Sequence, residues 1–311
     1  MSQKILITGG TGFIGRNLCS RLSEAGYGIV VLTRNTEKAK QIFGDKVKPV
    51  QWDNKSATGW LDHADGAQAI INLAGDNIGS GRWTQKKKQR ILESRIHAGT
   101  AVLEAIRQVE NKPKVLLQAS GIGIYGDRHD DLLDETASPG SGFMPDLANQ
   151  WEQSVKEVAE MGVRLVYLRT GVVLAKDADF IKRVLLPFRF FIGGHLGSGK
   201  QWISWIHLDD EIRAIEFLLK RKDLQGVFNL STPNPVTYQA FFKSFGNAMN
   251  RPSWFHVPGF MLKILLGEMA EGLILNGQRA IPKKLLKAGF EFNYPELEPA
   301  LTEIIKKTNP G

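Results

Sequence analysis

The chain has 311 residues, with 40 Lys and Arg against 32 Asp and Glu and a net charge of +8. At roughly 100 to 200 residues per domain, that is one large domain or two smaller ones. A hydrophobic content of 42% and a charged content of 23% exclude a disordered tail. A single cysteine, Cys19, excludes an internal disulfide, and no Cys/His spacing suits zinc, so no metal is expected and the cytoplasm is the default compartment.

From Met1 the chain enters the apolar run Ile5 to Ile7 and reaches Gly9 and Gly10 too soon for a signal peptide. Lys4 to Thr8 reads as a buried strand, Gly12 to Ala25 as a helix and Ile29 to Thr33 as a second strand. Further strands are predicted at Val47 to Trp52, Ala69 to Leu73, Lys114 to Ala119, Arg164 to Arg169, Trp202 to Ile206 and Gly226 to Leu230. Long helices are predicted over Gln85 to Glu110 and Asp146 to Met161. This alternation predicts an α/β fold, a Rossmann-type doubly wound parallel sheet covered on both faces. Residues 1–174 form the sheet domain, with 202–232 returning to it, and 175–201 with 233–311 form a smaller C-terminal substrate cap. Phe260 to Leu275 is interrupted by Lys263, Glu268 and Glu271 and is shorter than the ~20 residues of a membrane span. It reads as an amphipathic helix packed on protein. Gln85 to Arg90 (QKKKQR) reads as a solvated helix face, because no aromatic pattern accompanies it.

The motif Thr8-Gly9-Gly10-Thr11-Gly12-Phe13-Ile14-Gly15 follows a strand and opens a helix. Glycines at 9, 12 and 15 permit a tight turn, close approach of backbone N–H groups to a pyrophosphate, and helix-on-strand packing. The helix N-terminus adds a positive field for the anion. After the second strand an NAD-type site carries a carboxylate, whereas this chain has Thr33-Arg34-Asn35, with Lys38 a turn later. Arg34 offers a planar donor fork for a 2′-phosphate, which favours NADPH over NADH, unless it is a solvated surface residue. Asp53 lies either beside the adenine amino group or in a solvated loop. Gly171 and Val172 follow a strand end and are placed along the nicotinamide.

The stretches TGGTGFIG at 8–15, NLAG at 72–75 and ASGIGIYG at 119–126 resemble the extended short-chain dehydrogenase/reductases of the NAD-dependent epimerase/dehydratase family. AGDNIGSGRW at 74–83, GSGKQWISWIHLDD at 197–210 and RPSWFHVP at 251–258 resemble its epimerase-family subgroup. Members of that subgroup are sometimes called SulA-type cell division inhibitor homologues and carry a C-terminal domain of unknown function. The resemblance implies a doubly wound sheet with a C-terminal substrate domain, dinucleotide contacts along Leu73, Ala74 and Gly75, and a small sugar-nucleotide-like substrate for hydride transfer, and Arg34 makes the expected cofactor NADP(H).

The family pairs a Ser or Thr with a Y-x-x-x-K helix, in which the tyrosine moves a proton and the lysine lowers its pKa. Ser120 fits the first position, but Met144 stands at the tyrosine and Ala148 at the lysine. Tyr125 is the replacement candidate, as proton donor or as an aromatic packing on the cofactor. Asn77, Arg82, Trp83, Arg95, Asp146, Gln201 and His207 are the other polar or pocket candidates. His207 reads as a structural residue ahead of a helix capped by Asp209 and Asp210. The degenerate dyad leaves two readings, a NADP(H)-dependent oxidoreductase or epimerase-like protein and a non-catalytic NADPH sensor. Neither expects a nucleic-acid or membrane partner, and the chain is read as a monomer or homodimer.

Overall fold

The computed structural model describes residues 3–308. Seven parallel strands form the main sheet: β1 (Lys4–Thr8), β2 (Gly28–Thr33), β3 (Lys48–Gln51), β4 (Ala69–Asn72), β5 (Val115–Gly121), β6 (Arg164–Thr170) and β7 (Gly226–Leu230). Their order is β7-β6-β5-β4-β1-β2-β3. The order reverses between β1 and β4, so the crevice of this doubly wound fold opens at their carboxyl ends. Strand alternation explains the burial on both faces. Ile5 and Ile7 of β1 pack beneath Leu18 and Leu22 of α1 (Phe13–Glu24), while Leu6 packs on the opposite layer. That layer is covered by Ala98, Ala101, Val102 and Ala105 on one stripe of α3 (Gln85–Gln108), which follows the short α2 (Thr36–Phe43).

The next helices are α4 (Phe143–Gln153), α5 (Asp179–Arg189), α6 (Leu208–Lys220), α7 (Tyr238–Met249), α8 (Gly259–Leu266) and α9 (Leu297–Thr308). Helix α6 joins α1 against the sheet, whereas α5, α7 and α9 build a separate apolar cluster around Phe188, Phe241, Phe245, Leu301 and Ile304. No helix among the described residues is long and apolar enough to cross a membrane.

Three sequence expectations need correction. Of residues 202–232, only Gly226–Leu230 joins the main sheet. Trp205–His207 pairs in parallel with Val172–Leu174, and Trp202–Ile203 pairs antiparallel with Val236–Thr237. Gly171 allows this departure, since a Cβ there would meet the Ser204 carbonyl oxygen at 2.6 Å. The helix expected at Asp146 to Met161 starts at Phe143, stops at Gln153 and gives way to a 3-10 turn at Lys156–Met161. The helix expected at Phe260 to Leu275 breaks at Gly267, whose φ of +62° ends α8.

Candidate functional site

The glycine loop packs directly on the end of β4. Gly9 has a φ of +66°, and a Cβ on it would lie 2.6 Å from the Leu73 carbonyl oxygen. A Cβ on Gly15 would collide with the Gly9 carbonyl, so α1 can approach the turn only because that position is bare. The Gly12 N–H donates to the Gly9 carbonyl at 2.9 Å and Gly12 caps α1. The helix therefore points its first N–H groups into the crevice. Behind the loop the buried side chains Thr8, Asn72 and Gln118 sit in register across β1, β4 and β5. Thr8 Oγ1 donates to Asn72 Oδ1 at 2.6 Å, and Asn72 Nδ2 donates to Gln118 Oε1 at 2.8 Å. This ladder satisfies the polar groups that lock the three strand ends together.

A cleft of about 720 Å³ follows the loop. Gly9, Thr11 and Gly12 form one wall, and Leu73, Ala74 and Gly75 face them from β4. Thr33, Arg34 and Lys38 close the end beside β2, and Trp52, Asn54, Asp76, Asn77, Arg90 and Ser94 complete the lining, with Asn54 Nδ2 donating to the Ser94 carbonyl at 2.9 Å. Arg34 and Lys38 are exposed, and neither makes an ion pair among the described residues. Two cations with no carboxylate at this strand end suit a phosphate on the adenosine ribose. The cradle that a Cβ would fill at Gly9 and Gly15 suits a pyrophosphate, so the residues present fit a phosphorylated dinucleotide.

Several expected residues stand elsewhere. The Asp53 carboxylate is not on the cleft wall. Its Oδ1 accepts from the N–H groups of Lys55 and Ser56 at 2.8 and 2.9 Å, and these bonds hold its pKa below the usual value. Phe13 and Ile14 offer backbone at the start of α1, while their side chains pack into the apolar clusters. Gly171 and Val172 are tied to the 204–205 segment and do not line the cleft, and Val172 packs into the C-terminal cluster. Trp52, Asn54 and Ser94 line it without having been foreseen. Their signal is faint, a strand end at Gln51 and a turn on an otherwise ordinary helix.

The end of β5 is built differently. Ser120 is buried and donates to Glu152 Oε1 at 2.7 Å. Both Glu152 oxygens also accept from Arg169, from Nε at 2.8 Å and from Nη2 at 2.9 Å. Burial opposes the charge on Arg169, but the Glu152 carboxylate outweighs that and raises its pKa. Arg169 Nη1 donates to the Tyr125 hydroxyl at 3.2 Å, which in turn donates to Asn229 Oδ1 at 2.7 Å. Tyr125 is 0% exposed, and burial raises its pKa against the opposing pull of Arg169. Ser120 and Tyr125 thus belong to one buried network and present no group to the cleft. Met144 packs beside Gly123, and Ala148 is buried with Ile122 and Leu133, so neither dyad position on this helix carries a group that can transfer a proton.

The remaining candidates are mostly structural. His207 is buried and itself caps α6, accepting from the Asp209 N–H at 3.2 Å. Asp209 and Asp210 instead hold the turn at Asn293 and Tyr294. Gln201 donates to the Leu196 and Ile274 carbonyls, Arg82 donates to that of Ile264, and Asp146 is exposed. Trp83 is buried with Ile91, Leu147 and Met269. Arg95 lies behind Gly75 with its guanidinium 4.8 Å from the Trp151 ring centroid, and burial lowers its pKa to about 10, partly offset by Asp76. Only Asn77 of this group reaches the cleft wall.

Residues 5–231 match the model of the NAD dependent epimerase/dehydratase family, and 257–304 match a domain of unknown function. The chain is 40% identical over 306 residues to the epimerase family protein YfhF of Bacillus subtilis, covering 97% of this chain and 98% of that protein. It is 38% identical over 304 residues to the chloroplastic SDR39U1 homolog of Arabidopsis thaliana, covering 97% and 86%. Among solved structures, human epimerase family protein SDR39U1, isoform 2, crystallised with NADPH, superposes with a TM-score of 0.88 at 29% identity, covering 98% of this chain and 99% of that one. The chain belongs to the NAD dependent epimerase/dehydratase family.

Proposed function

We propose that the protein binds NADP(H) and works by hydride transfer on a small polar, sugar-nucleotide-like substrate, as a monomer or homodimer. The observation that carries this reading is the pairing of Arg34 and Lys38 on the cleft wall where a carboxylate would select NADH. The NADPH reported with human SDR39U1 agrees with it. Backbone at Gly9, Thr11, Gly12, Phe13 and Ile14 would hold the pyrophosphate, with Leu73, Ala74 and Gly75 opposite. Trp52 and Asn54 would flank the adenine. When bound, the dinucleotide supplies the hydride chemistry.

Ser120 and Tyr125 act here as positioning residues, since both hydroxyls are already bonded inside the protein. The proton that accompanies the hydride then comes from the substrate's own groups or from solvent. General acid/base help is worth about 10²- to 10⁴-fold, so turnover is slow. The buried Ala148 and the apolar Met144 favour a second reading, a NADPH sensor that does not turn over. Nucleic acid is not a proposed partner. In the basic run at Gln85 to Arg90, Lys87 and Arg90 already pair with Asp76, and Lys88 pairs with Glu268.

Calorimetry at one ionic strength tests the cofactor. A charge-assisted bond is worth about 1.5 to 3 kcal/mol, so NADPH should bind on the order of tenfold or more tighter than NADH. Arg34→Asp should erase the difference, and equal affinities in the parent would sink the assignment. A screen of carbonyl and sugar-nucleotide compounds for NADPH oxidation then separates enzyme from sensor. Tyr125→Phe should leave any activity within about tenfold at equal cofactor occupancy, whereas a loss of about 10²-fold or more would make Tyr125 the proton donor.

A further inference from the structure

Thirteen large hydrophobic residues are exposed among the described residues, and ten of them fall in two stretches, 186–192 and 254–265. Such clustering marks an interaction surface, since scattered exposed apolar residues are ordinary and contiguous ones are not. The two stretches are one surface. The N–H groups of Trp254 and Phe255 both donate to the Gly193 carbonyl at 3.1 Å, and Trp254 Nε1 donates to the Phe191 carbonyl at 2.9 Å. Val257 N–H donates to His195, and Gly197 N–H returns to Val257. Helix α8 follows directly, burying Leu262 and leaving Phe260, Met261, Ile264 and Leu265 between 44 and 69% exposed.

The backbone at this surface is strained in the same sense. Phe191 has a φ of +61°, a region that bulky residues rarely adopt, and this turn leaves the consecutive side chains Phe190 and Phe191 exposed. The two stretches themselves carry only cations, while Glu268 and Glu271 stand just beyond them and pair with Lys88 and Lys263. Residues 182–192 and 250–266 contain Lys182, Arg183, Arg189, Arg251 and Lys263 and no Asp or Glu. Arg251 lies over the Phe191 ring at 4.4 Å, and Lys263 pairs with Glu271 at the rim.

We propose that this face docks on the surface of an anionic lipid bilayer, with Trp254, Phe190, Phe191 and the exposed side of α8 at headgroup depth and the cations against lipid phosphates. Tryptophan and arginine both suit that interface, having an apolar body and a polar tip. Buried apolar area and basic charge add in such binding. A second copy fits less well, because a two-fold contact would set these cationic stretches against themselves and bring Arg189 and Arg251 against like charges. The sequence expectation of no membrane partner rested on the lack of a spanning segment and on the basic run Gln85 to Arg90 as a solvated face, whereas a surface contact needs no span and this surface lies outside that run. The proposal is independent of what occupies the cleft.

Vesicle flotation of the full chain tests it, with neutral phosphatidylcholine against the same lipid containing about a third phosphatidylglycerol. The chain should float with the anionic vesicles, release at high salt and shift its tryptophan emission to the blue. Neutralising Arg189 or Arg251 to Gln should weaken partitioning about fivefold each. The triple variant Phe191→Ser, Trp254→Ser, Ile264→Ser should lose flotation while keeping the parent's melting temperature and NADPH affinity. No flotation, or flotation that the triple variant retains, would overturn the proposal, as would equal binding to neutral vesicles. A dimer seen by light scattering and dissolved by the triple variant, without flotation, would replace the lipid with a second copy.

Discussion

The two ends of the crevice use their polar groups in opposite ways. At the β1 and β2 end, Arg34 and Lys38 make no ion pair among the described residues and the N-terminus of α1 faces the cleft, so donors there are available to a ligand. At the β5 and β6 end, Ser120, Glu152, Arg169, Tyr125 and Asn229 are bonded to one another and buried. A satisfied buried network specifies a fold, whereas open donors specify a partner. The first end fits the dinucleotide proposed above, and the second ties three strand ends to the helix that carries Glu152.

The largest expected effect breaks that support. Arg169→Met leaves the Glu152 carboxylate buried without its cation, and removing one partner of a buried pair costs about 3 to 5 kcal/mol. Urea unfolding should show a loss of that size, while NADPH affinity of the folded protein stays within about twofold. A loss below about 1 kcal/mol would mean that the network is not structural. A tenfold loss in NADPH affinity would erase the contrast between the two ends.

A second test uses a carboxyl that the network leaves out. Glu211, in the first turn of α6, is fully buried. Its Oε1 accepts from Thr170 Oγ1 at 2.9 Å, and its Oε2 has no hydrogen-bond partner among the described residues. Burial raises its pKa to about 8, against a small opposing effect of the Thr170 bond. The unfolded chain ionises this group near the ordinary value of about 4.3, so between there and about 8 the folded state holds a proton that the unfolded state has lost. Stability from this group is complete below that window, falls by up to about 1.4 kcal/mol per pH unit through it, and is level above it. Glu211→Gln should flatten that slope in urea titrations at pH values across the window. A slope unchanged by the substitution would assign the pH dependence to other groups.

The binding end was legible because its chemistry is local. Glycines at fixed spacing after a strand, and the absence of an acid after the next strand, lie within Thr8 to Lys38 and need no distant partner to be understood. The sheet was legible for a similar reason, since strands buried on both faces read as continuous apolar runs. The reaction end was not, because its partners are far apart in sequence. Tyr125 meets Asn229 from 104 residues away, and nothing around either residue signals the bond. Ser120 reads as available for the same reason, because its partner Glu152 lies 32 residues further along the chain. The C-terminal helices were blurred by tertiary packing. Gly267 splits an apolar run whose hydrophobicity alone reads as one helix.

The smallest expected effect sharpens the binding end residue by residue. Asp53 stands between two residues that line the cleft, Trp52 and Asn54, yet its carboxylate closes the turn over Lys55 and Ser56. Its second oxygen accepts from Ser56 Oγ at 3.2 Å, which keeps the carboxylate directed at the turn. Hydrogen bonds of this exposed kind contribute about 0.5 to 1.5 kcal/mol net, so Asp53→Ala should lower stability by about 1 kcal/mol or less. Because the group is spent on the turn, NADPH affinity measured by calorimetry should change by no more than about twofold. Asn54→Ala makes the matching comparison, as Asn54 lines the cleft and its Nδ2 holds the Ser94 carbonyl of the same lining at 2.9 Å, so its loss should weaken NADPH more than Asp53→Ala does. If Asp53→Ala instead costs about tenfold in affinity while Asn54→Ala costs nothing, the carboxylate reaches the adenine after all and the turn opens on binding.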